Sequence, residues 1–268
     1  MEKVLLSDSS LLLSKFIFGT SRIHKTITGK ARQRILSKAV ECGFTHFDTS
    51  PLYGYGIAES EIGCLAKRNP NITVTTKYGL YPPGRIQKQR WDIYLRKASG
   101  KLIPLLSKAK ENFDTARAHQ SLVLSLKRIN RDYVDLFMLH EPPENIENYS
   151  ETLDFLLDLK SQGLIREFGV AGRWSSIKQF YLEFPDILKV IQIQDEEGIP
   201  LADLSQFVGG SRVITYGYGA LSKITDLNYL DRIRYCLARN TEGAIIVSTS
   251  NLNHIGQYER LFGRQHDL

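Results

Sequence analysis

The stretch Phe47-Asp48-Thr49-Ser50-Pro51-Leu52-Tyr53-Gly54 follows Gly43-Phe44-Thr45-His46, an apolar run that reads with Phe47 as a short buried strand. Pro51 and Gly54 break regular structure. Asp48 therefore stands at the C-terminal end of a strand, and Tyr53 in the loop beyond it. The arrangement recurs further along the chain. Residues 72–76 form a β-type run that ends at Lys77, and residues 133–139 form another that ends at His140.

Helical patterns separate these strands. Thr28 can cap a helix whose apolar face is Ala31, Ile35, Leu36, Ala39 and Val40. A second helix is expected near residues 59–68. Asp114 can cap a third, with Leu122, Val123, Leu126 and Ile129 on one side. Leu153, Leu156 and Leu157 mark a fourth, which Gly163 stops. Further strands are expected at residues 15–18, 165–170, 188–193, 212–216 and 244–248. Helices near 175–184, 201–207, 226–239 and 251–262 separate or follow them.

Strand–helix alternation over the whole length implies a parallel sheet with crossover helices. Eight strands and 268 residues predict a closed (β/α)8 TIM barrel in one domain, 1–268. The alternative, a doubly wound sheet, lacks its nucleotide turn, because Gly19-Thr20 is not a G-x-G-x-x-G sequence. Residues 3–6 and 11–13, split by Ser7-Asp8-Ser9-Ser10, are expected to form an N-terminal β-hairpin. Residues 78–113 form an insertion much longer than a usual strand-to-helix loop. It is basic (Arg85, Lys88, Arg90, Lys101) and aromatic (Tyr78, Tyr81, Trp91), and reads either as a surface helix or as a lid over the barrel mouth.

Composition narrows the class. There is no apolar run long enough to span a membrane. The N-terminus, with an early acid and a short apolar run, is a poor signal peptide. Cys42, Cys64 and Cys236 are scattered without metal-type spacing, which fits a reducing cytoplasm and no metal site. The net charge of +6 reads as a basic surface that can also attract an anionic ligand. No zinc-finger spacing or ribonucleoprotein signature points to nucleic acid.

In such a barrel, reactive groups gather where strands end. Asp48, Lys77 and His140 follow the second, third and fourth strands, with Tyr53 a few residues past the second. Together they suit proton donation to a carbonyl reduced by an external hydride. Tyr53 is the donor, and Lys77 is expected to lower its pKa. Asp48 holds the lysine, and His140 bonds the carbonyl oxygen.

The segments G-F-T-H-F-D-T-S-P-L-Y-G (43–54), T-T-K-Y-G (75–79), L-K-R-I-N-R-D-Y-V-D-L-F-M-L-H (126–140) and G-L-I-R-E-F-G-V (163–170) resemble the aldo-keto reductase family. The D-T-S-P-x-Y-G wording is also similar to its aldose dehydrogenase branch. The resemblance implies an NAD(P)H-dependent oxidoreductase acting on the C=O or CH–OH group of an aldehyde, ketone or sugar. NADP(H) is expected ahead of NAD(H), and the partners are small molecules. The catalytic set it implies is Asp48, Tyr53, Lys77 and His140. For the cofactor it implies Gly19, Thr20 and Asp48 near the nicotinamide, Gln192 on its amide and Tyr216 stacked on its ring. Ser248, Thr249, Ser250, Asn251 and His254 are expected at the adenosine end.

Two departures stand out. Ala171-Gly172 replace the Ser-Asn pair that the family usually places by the nicotinamide amide, and His254 replaces an arginine that grips the 2′-phosphate. The long C-terminal loop of many relatives is also absent, which leaves Tyr78, Tyr81, Trp91 and Trp174 as expected pocket walls. A second reading keeps the barrel but not the turnover: a catalytically weak, NADP(H)-binding regulatory subunit, as in channel subunits that the family also resembles.

Overall fold

A computed structural model describes residues 1–6, 11–83, 109–143, 149–195, 213–218 and 226–262. The chain opens with an antiparallel hairpin of β1 (Lys3–Leu5) and β2 (Leu12–Ser14), paired Lys3 to Ser14 and Leu5 to Leu12. Eight parallel strands then close into a barrel. They are β3 (Phe16–Gly19), β4 (His46–Asp48), β5 (Thr73–Tyr78), β8 (Val134–His140), β9 (Ile165–Gly172), β10 (Val190–Gln194), β11 (Val213–Tyr216) and β12 (Ala244–Val247). Each strand lies beside its successor, and β12 returns to β3. Two short strands, β6 (Leu80–Tyr81) and β7 (Lys110–Glu111), pair with each other at the two ends of the expected insertion. The lid expected within it falls on residues 84–108, outside the described residues, as does the helix expected near 201–207.

The described helices are α1 (Gly29–Glu41), α2 (Ile57–Ala66), α3 (Thr115–Ile129), α4 (Tyr149–Ser161), α5 (Trp174–Glu183), α6 (Tyr229–Arg239) and α7 (Leu252–Phe262). Their starts follow local chemistry. The Thr28 hydroxyl accepts from the Ala31 N–H at 3.2 Å, and the Asp114 carboxylate from that of Arg117 at 2.8 Å. Gly163, with φ of 72°, lets the chain turn after α4. On α1 the buried face is Ile35, Leu36 and Ala39, with Ala31 and Val40 only half-buried. Arg32 takes the remaining buried place, which an apolar pattern does not foresee. Its charge is met by Glu61 at 2.7 Å and by the carbonyls of Thr26 and Ile27. Val123 and Leu157, expected on buried faces, are 49% and 41% exposed, because each lies beyond the edge of its helix's core-facing stripe.

Two apolar layers result. The larger, between strands and helices, contains Phe16, Phe18, Phe47, Leu122, Phe137, Leu156 and Phe168. The smaller fills the barrel with Ile17, Leu136, Met138, Val190 and Ile214, and the hairpin adds Leu6, Leu11 and Leu13 to it. Strand alternation sorts one layer from the other. It also corrects the expected pocket walls. Tyr78 is the neighbour of Lys77, so its ring faces outward and stacks on Phe137 at 4.8 Å. The Tyr81 ring lies against the Arg117 guanidinium at 4.6 Å, and Trp174 pairs with Tyr181 at 6.3 Å. Trp91 is outside the described residues.

The barrel seam is stapled by Lys15. Its buried ammonium donates to the carbonyls of Asn240, Thr241 and Gly243 at 2.9, 2.6 and 2.7 Å, and the Ile245 N–H returns to the Lys15 carbonyl at 2.9 Å.

His46 lies between β4 and β5, with Nδ1 and Nε2 each 2.7 Å from a hydroxyl, those of Thr73 and Thr75. Burial, helped by the Lys77 charge, pushes its pKa down to about 3. The unfolded chain therefore takes up this proton first as pH falls. The stabilisation is complete above about pH 6.5 and is lost on acidification at about 1.4 kcal/mol per pH unit. Urea unfolding at pH 6.5, 5.5 and 4.5 should show that the stability gap between the parent and His46→Gln narrows by about that amount per unit. A gap independent of pH would contradict the neutral buried imidazole.

Candidate active site

The register of the strands decides which side chains meet. Gly19 pairs with Asp48, Lys77 with Met138, His140 with Ala171, Ala171 with Gln192, and Gln194 with Tyr216. Gly19, Asp48, His140 and Tyr216 are the last or near-last residues of their strands, so one ring of chemistry forms at the C-terminal mouth.

Asp48 and Lys77 form a fully buried ion pair, and the Lys77 ammonium also donates to the Thr49 carbonyl at 3.1 Å. Burial pushes the Asp48 carboxyl up and the Lys77 ammonium down. Their mutual attraction opposes both shifts, and a hydrogen bond from Gln192 further favours the carboxylate. Thr20 fixes the backbone here. Its N–H and its hydroxyl both donate to the Asp48 carbonyl at 2.9 Å. Thr20 is therefore a buried support rather than part of the cavity wall.

Tyr53 leaves β4 through a turn and is followed by three left-handed residues, Gly54, Tyr55 and Gly56. At Gly54 a Cβ would lie 2.5 Å from that of His24, so the turn that presents Tyr53 requires glycine. The Tyr53 ring meets His140 edge-on at 6.0 Å, and the Lys77 ammonium is 5.1 Å from its centroid. Lys77 nevertheless does not lower the phenol pKa. Burial, with the negative charges of Asp48 and Glu141 nearby, holds it well above its ordinary value. Burial and the carboxylate that holds the lysine outweigh it. His140 is held well below the ordinary imidazole range by burial and by Lys77, and so is neutral.

A cavity of about 540 Å³ runs from Asp48 and Tyr53 past Gln192 and Tyr216 to Ser248, Thr249 and His254. Its shape and lining suit an extended dinucleotide. At Gly19 a Cβ would lie 2.5 Å from the Ser248 hydroxyl, so only glycine leaves β3 and β12 this close. The buried Oε1 of Gln192 finds no donor among the described residues, which leaves an acceptor for a ligand amide. The Ser248 hydroxyl donates to the Gly19 carbonyl at 2.8 Å, and Thr249 accepts from the Asn251 N–H. Ser250 and Asn251 lie outside the wall. Asn251 instead caps α7 through the Asn253 N–H at 2.9 Å. His254 stacks on Tyr229 at 3.9 Å.

Sequence reading did not single out Arg22, Tyr229 or Arg232, which line this cavity. It also passed over Glu141, whose carboxylate accepts from the Tyr216 hydroxyl at 2.8 Å. Only the position of Glu141, next to a strand-end histidine, hinted at it. Among the described residues no cluster could hold a metal ion, and no helix is long and apolar enough to cross a membrane.

Comparison with known proteins identifies the family and the fold. The model of the aldo/keto reductase family matches residues 15–194. Among curated relatives, the NADH-specific methylglyoxal reductase of Escherichia coli is 26% identical over 202 residues, 72% of this chain and 58% of that protein. The L-galactose dehydrogenase of Arabidopsis thaliana is 26% identical over 176 residues, 62% of this chain and 47% of that protein. The chain thus spans about half to three fifths of the length of such relatives. Among solved structures, the holo form of aldo-keto reductase AKR11C1 from Bacillus halodurans shares the fold with a TM-score of 0.75 at 24% identity, over 97% of this chain and 90% of that one. The glycerol dehydrogenase AKR11B4 of Gluconobacter oxydans does so with a TM-score of 0.74 at 20% identity and the same coverage. With the family match extending from the first barrel strand through the fifth and sixth, and the strand-end residues converging at one mouth, the chain belongs to the aldo/keto reductase family.

Proposed function

We propose that this protein is an NAD(P)H-dependent oxidoreductase that interconverts a carbonyl and an alcohol on an aldehyde, ketone or sugar, with Tyr53 moving the proton. One observation carries the reading: Asp48 and Tyr53, with Lys77 paired to the first and His140 edge-on to the second, line the head of a cavity that continues to Ser248 and His254. Gln192, Tyr216 and Gly19 would hold the nicotinamide end, and Ser248, Thr249 and His254 the adenosine end. The cofactor, when bound, supplies or accepts the hydride. The family membership and the methylglyoxal reductase, L-galactose dehydrogenase and glycerol dehydrogenase among similar proteins support a small polar substrate. The free thiols of Cys42, Cys64 and Cys236 suit the reducing cytoplasm that we infer.

The raised phenol pKa is compatible with donation. Tyr53 keeps its proton at neutral pH, and the oxygen that gains charge during reduction is far more basic than a carbonyl. Neutral His140 can hydrogen-bond the same oxygen without bringing a competing charge. Lys77, 5.1 Å from the ring centroid, is the cation that would face the phenolate once the proton leaves. A purely regulatory role has no observation of its own here, since nothing in the tetrad is missing.

Tyr53→Phe should lower kcat by about 10²–10⁴-fold with the best substrate of an aldehyde and sugar panel. Its dissociation constant for the reduced cofactor, from calorimetric titration, should stay within about twofold of the parent. Activity within a factor of a few of the parent would remove Tyr53 from the mechanism.

For the cofactor we propose that NADPH is preferred to NADH, but by a small margin. His254 offers a stacked imidazole where an arginine would offer a guanidinium fork. His254→Arg should enlarge the NADPH-over-NADH affinity ratio by about fivefold at neutral pH. An unchanged ratio would show that this position does not read the 2′-phosphate.

A further inference from the structure

Glu141 has no part in the mechanism above, yet it is built into the mouth. It follows His140 directly, and its backbone is left-handed, with φ of 49°, a conformation a glutamate adopts only under constraint. The constraint is visible. Its N–H donates to the Ala171 carbonyl at 2.6 Å, which turns the chain back over the end of β9. One carboxylate oxygen then accepts from the Tyr216 hydroxyl at 2.8 Å. The other lies 3.1 Å from where a Cβ on Gly172 would be. The carboxylate thus occupies space that a side chain at Gly172 would claim, at the place where the Ser-Asn pair of the family pattern is replaced by Ala171-Gly172. Its charge reaches the chemistry, since it contributes to raising the Tyr53 phenol pKa and opposes the fall in that of the Lys77 ammonium.

We propose that Glu141 is a binding residue for the nicotinamide end of the cofactor and that its negative charge favours the oxidised form over the reduced form. The proposal rests on the functional reading given above. Two acceptors then lie by that end of the cavity: the Glu141 carboxylate, held by the cavity-lining Tyr216, and the buried Oε1 of Gln192, which finds no donor among the described residues. A primary amide NH₂ has two hydrogens to give, and the pair of acceptors matches it. The oxidised nicotinamide ring carries a positive charge that the reduced ring lacks. A fixed carboxylate beside that ring therefore stabilises the oxidised form of the cofactor and not the reduced one. The Asp48–Lys77 pair contributes little to this preference, because its charges nearly cancel. Tighter binding of the oxidised form shifts the bound equilibrium toward hydride donation, that is, toward reduction of the carbonyl.

The test uses calorimetric titration of the parent, Glu141→Gln and Glu141→Asn with the oxidised and reduced forms of whichever cofactor, NADP or NAD, the parent binds. Asparagine tolerates the left-handed backbone at this position, so the second variant preserves the turn if the first fails to fold. We expect the affinity for the oxidised form to fall about tenfold in both variants, and that for the reduced form to change by less than about threefold. A ratio of the two affinities that stays within about twofold of the parent, even where both affinities fall together, would overturn the charge role and leave the functional reading intact. Failure of the parent to bind either form of either cofactor would overturn the functional reading, and this inference with it.

Discussion

The Asp48–Lys77 pair is the interaction on which the rest of the mouth depends. Both charges are withdrawn from water, and burial opposes each of them. Removing one partner of such a pair typically costs about 3–5 kcal/mol, because the other is left uncompensated. The surroundings are arranged to prevent that. Thr49 gives its carbonyl to the ammonium, Gln192 bonds the carboxylate, and Thr20 anchors the Asp48 backbone with two hydrogen bonds. Below, neutral His46 fills the space between Thr73 and Thr75 without adding charge. The pair is a fixed dipole, and Tyr53 and His140 are positioned around it.

Much of this was legible in the sequence, because strand ends are a one-dimensional signal. A β-type run followed by Asp48, Lys77 or His140 fixes both the strand and the mouth it opens on, once the fold is a barrel. The caps at Thr28 and Asp114 and the hairpin around residues 7–10 were equally local. Side-chain direction was less accessible. Tyr78 looked like a pocket wall until alternation from Lys77 turned it outward onto Phe137. Arg32 was hidden in an apolar face, because its partner Glu61 lies 29 residues away in sequence. The Tyr53 pKa reversed direction for a related reason. Proximity to a lysine can be guessed from strand order, but the burial and the Asp48 charge that outweigh it depend on the packed structure. Arg22, Tyr229 and Arg232 reach the cavity from three-dimensional neighbours that no spacing rule connects.

Around the cavity, several replacements occur together. Ala171-Gly172 remove polar side chains, and Glu141 enters the space; His254 stands where a permanent cation is usual, and Tyr229 stacks on it. Of these, Glu141 adds negative charge and His254 removes a permanent positive one. The +6 net charge of the chain is therefore no guide to the field inside it. A surface excess can draw an anion toward the mouth, while the residues within discriminate by their own charges.

The Lys15 staple has a kinetic meaning. It joins residue 15 to carbonyls 225 to 228 positions further along the chain. Contacts of such long sequence separation carry a loop-closure cost before they return anything. Until β12 docks against β3, each of those two strands presents an unpaired edge, and the lysine has no carbonyls to satisfy it. Loop-closure entropy therefore favours sealing the cylinder late in folding. Sealing joins Gly19 to Ser248, two residues of the cavity wall, so a half-assembled barrel has no such cavity to offer.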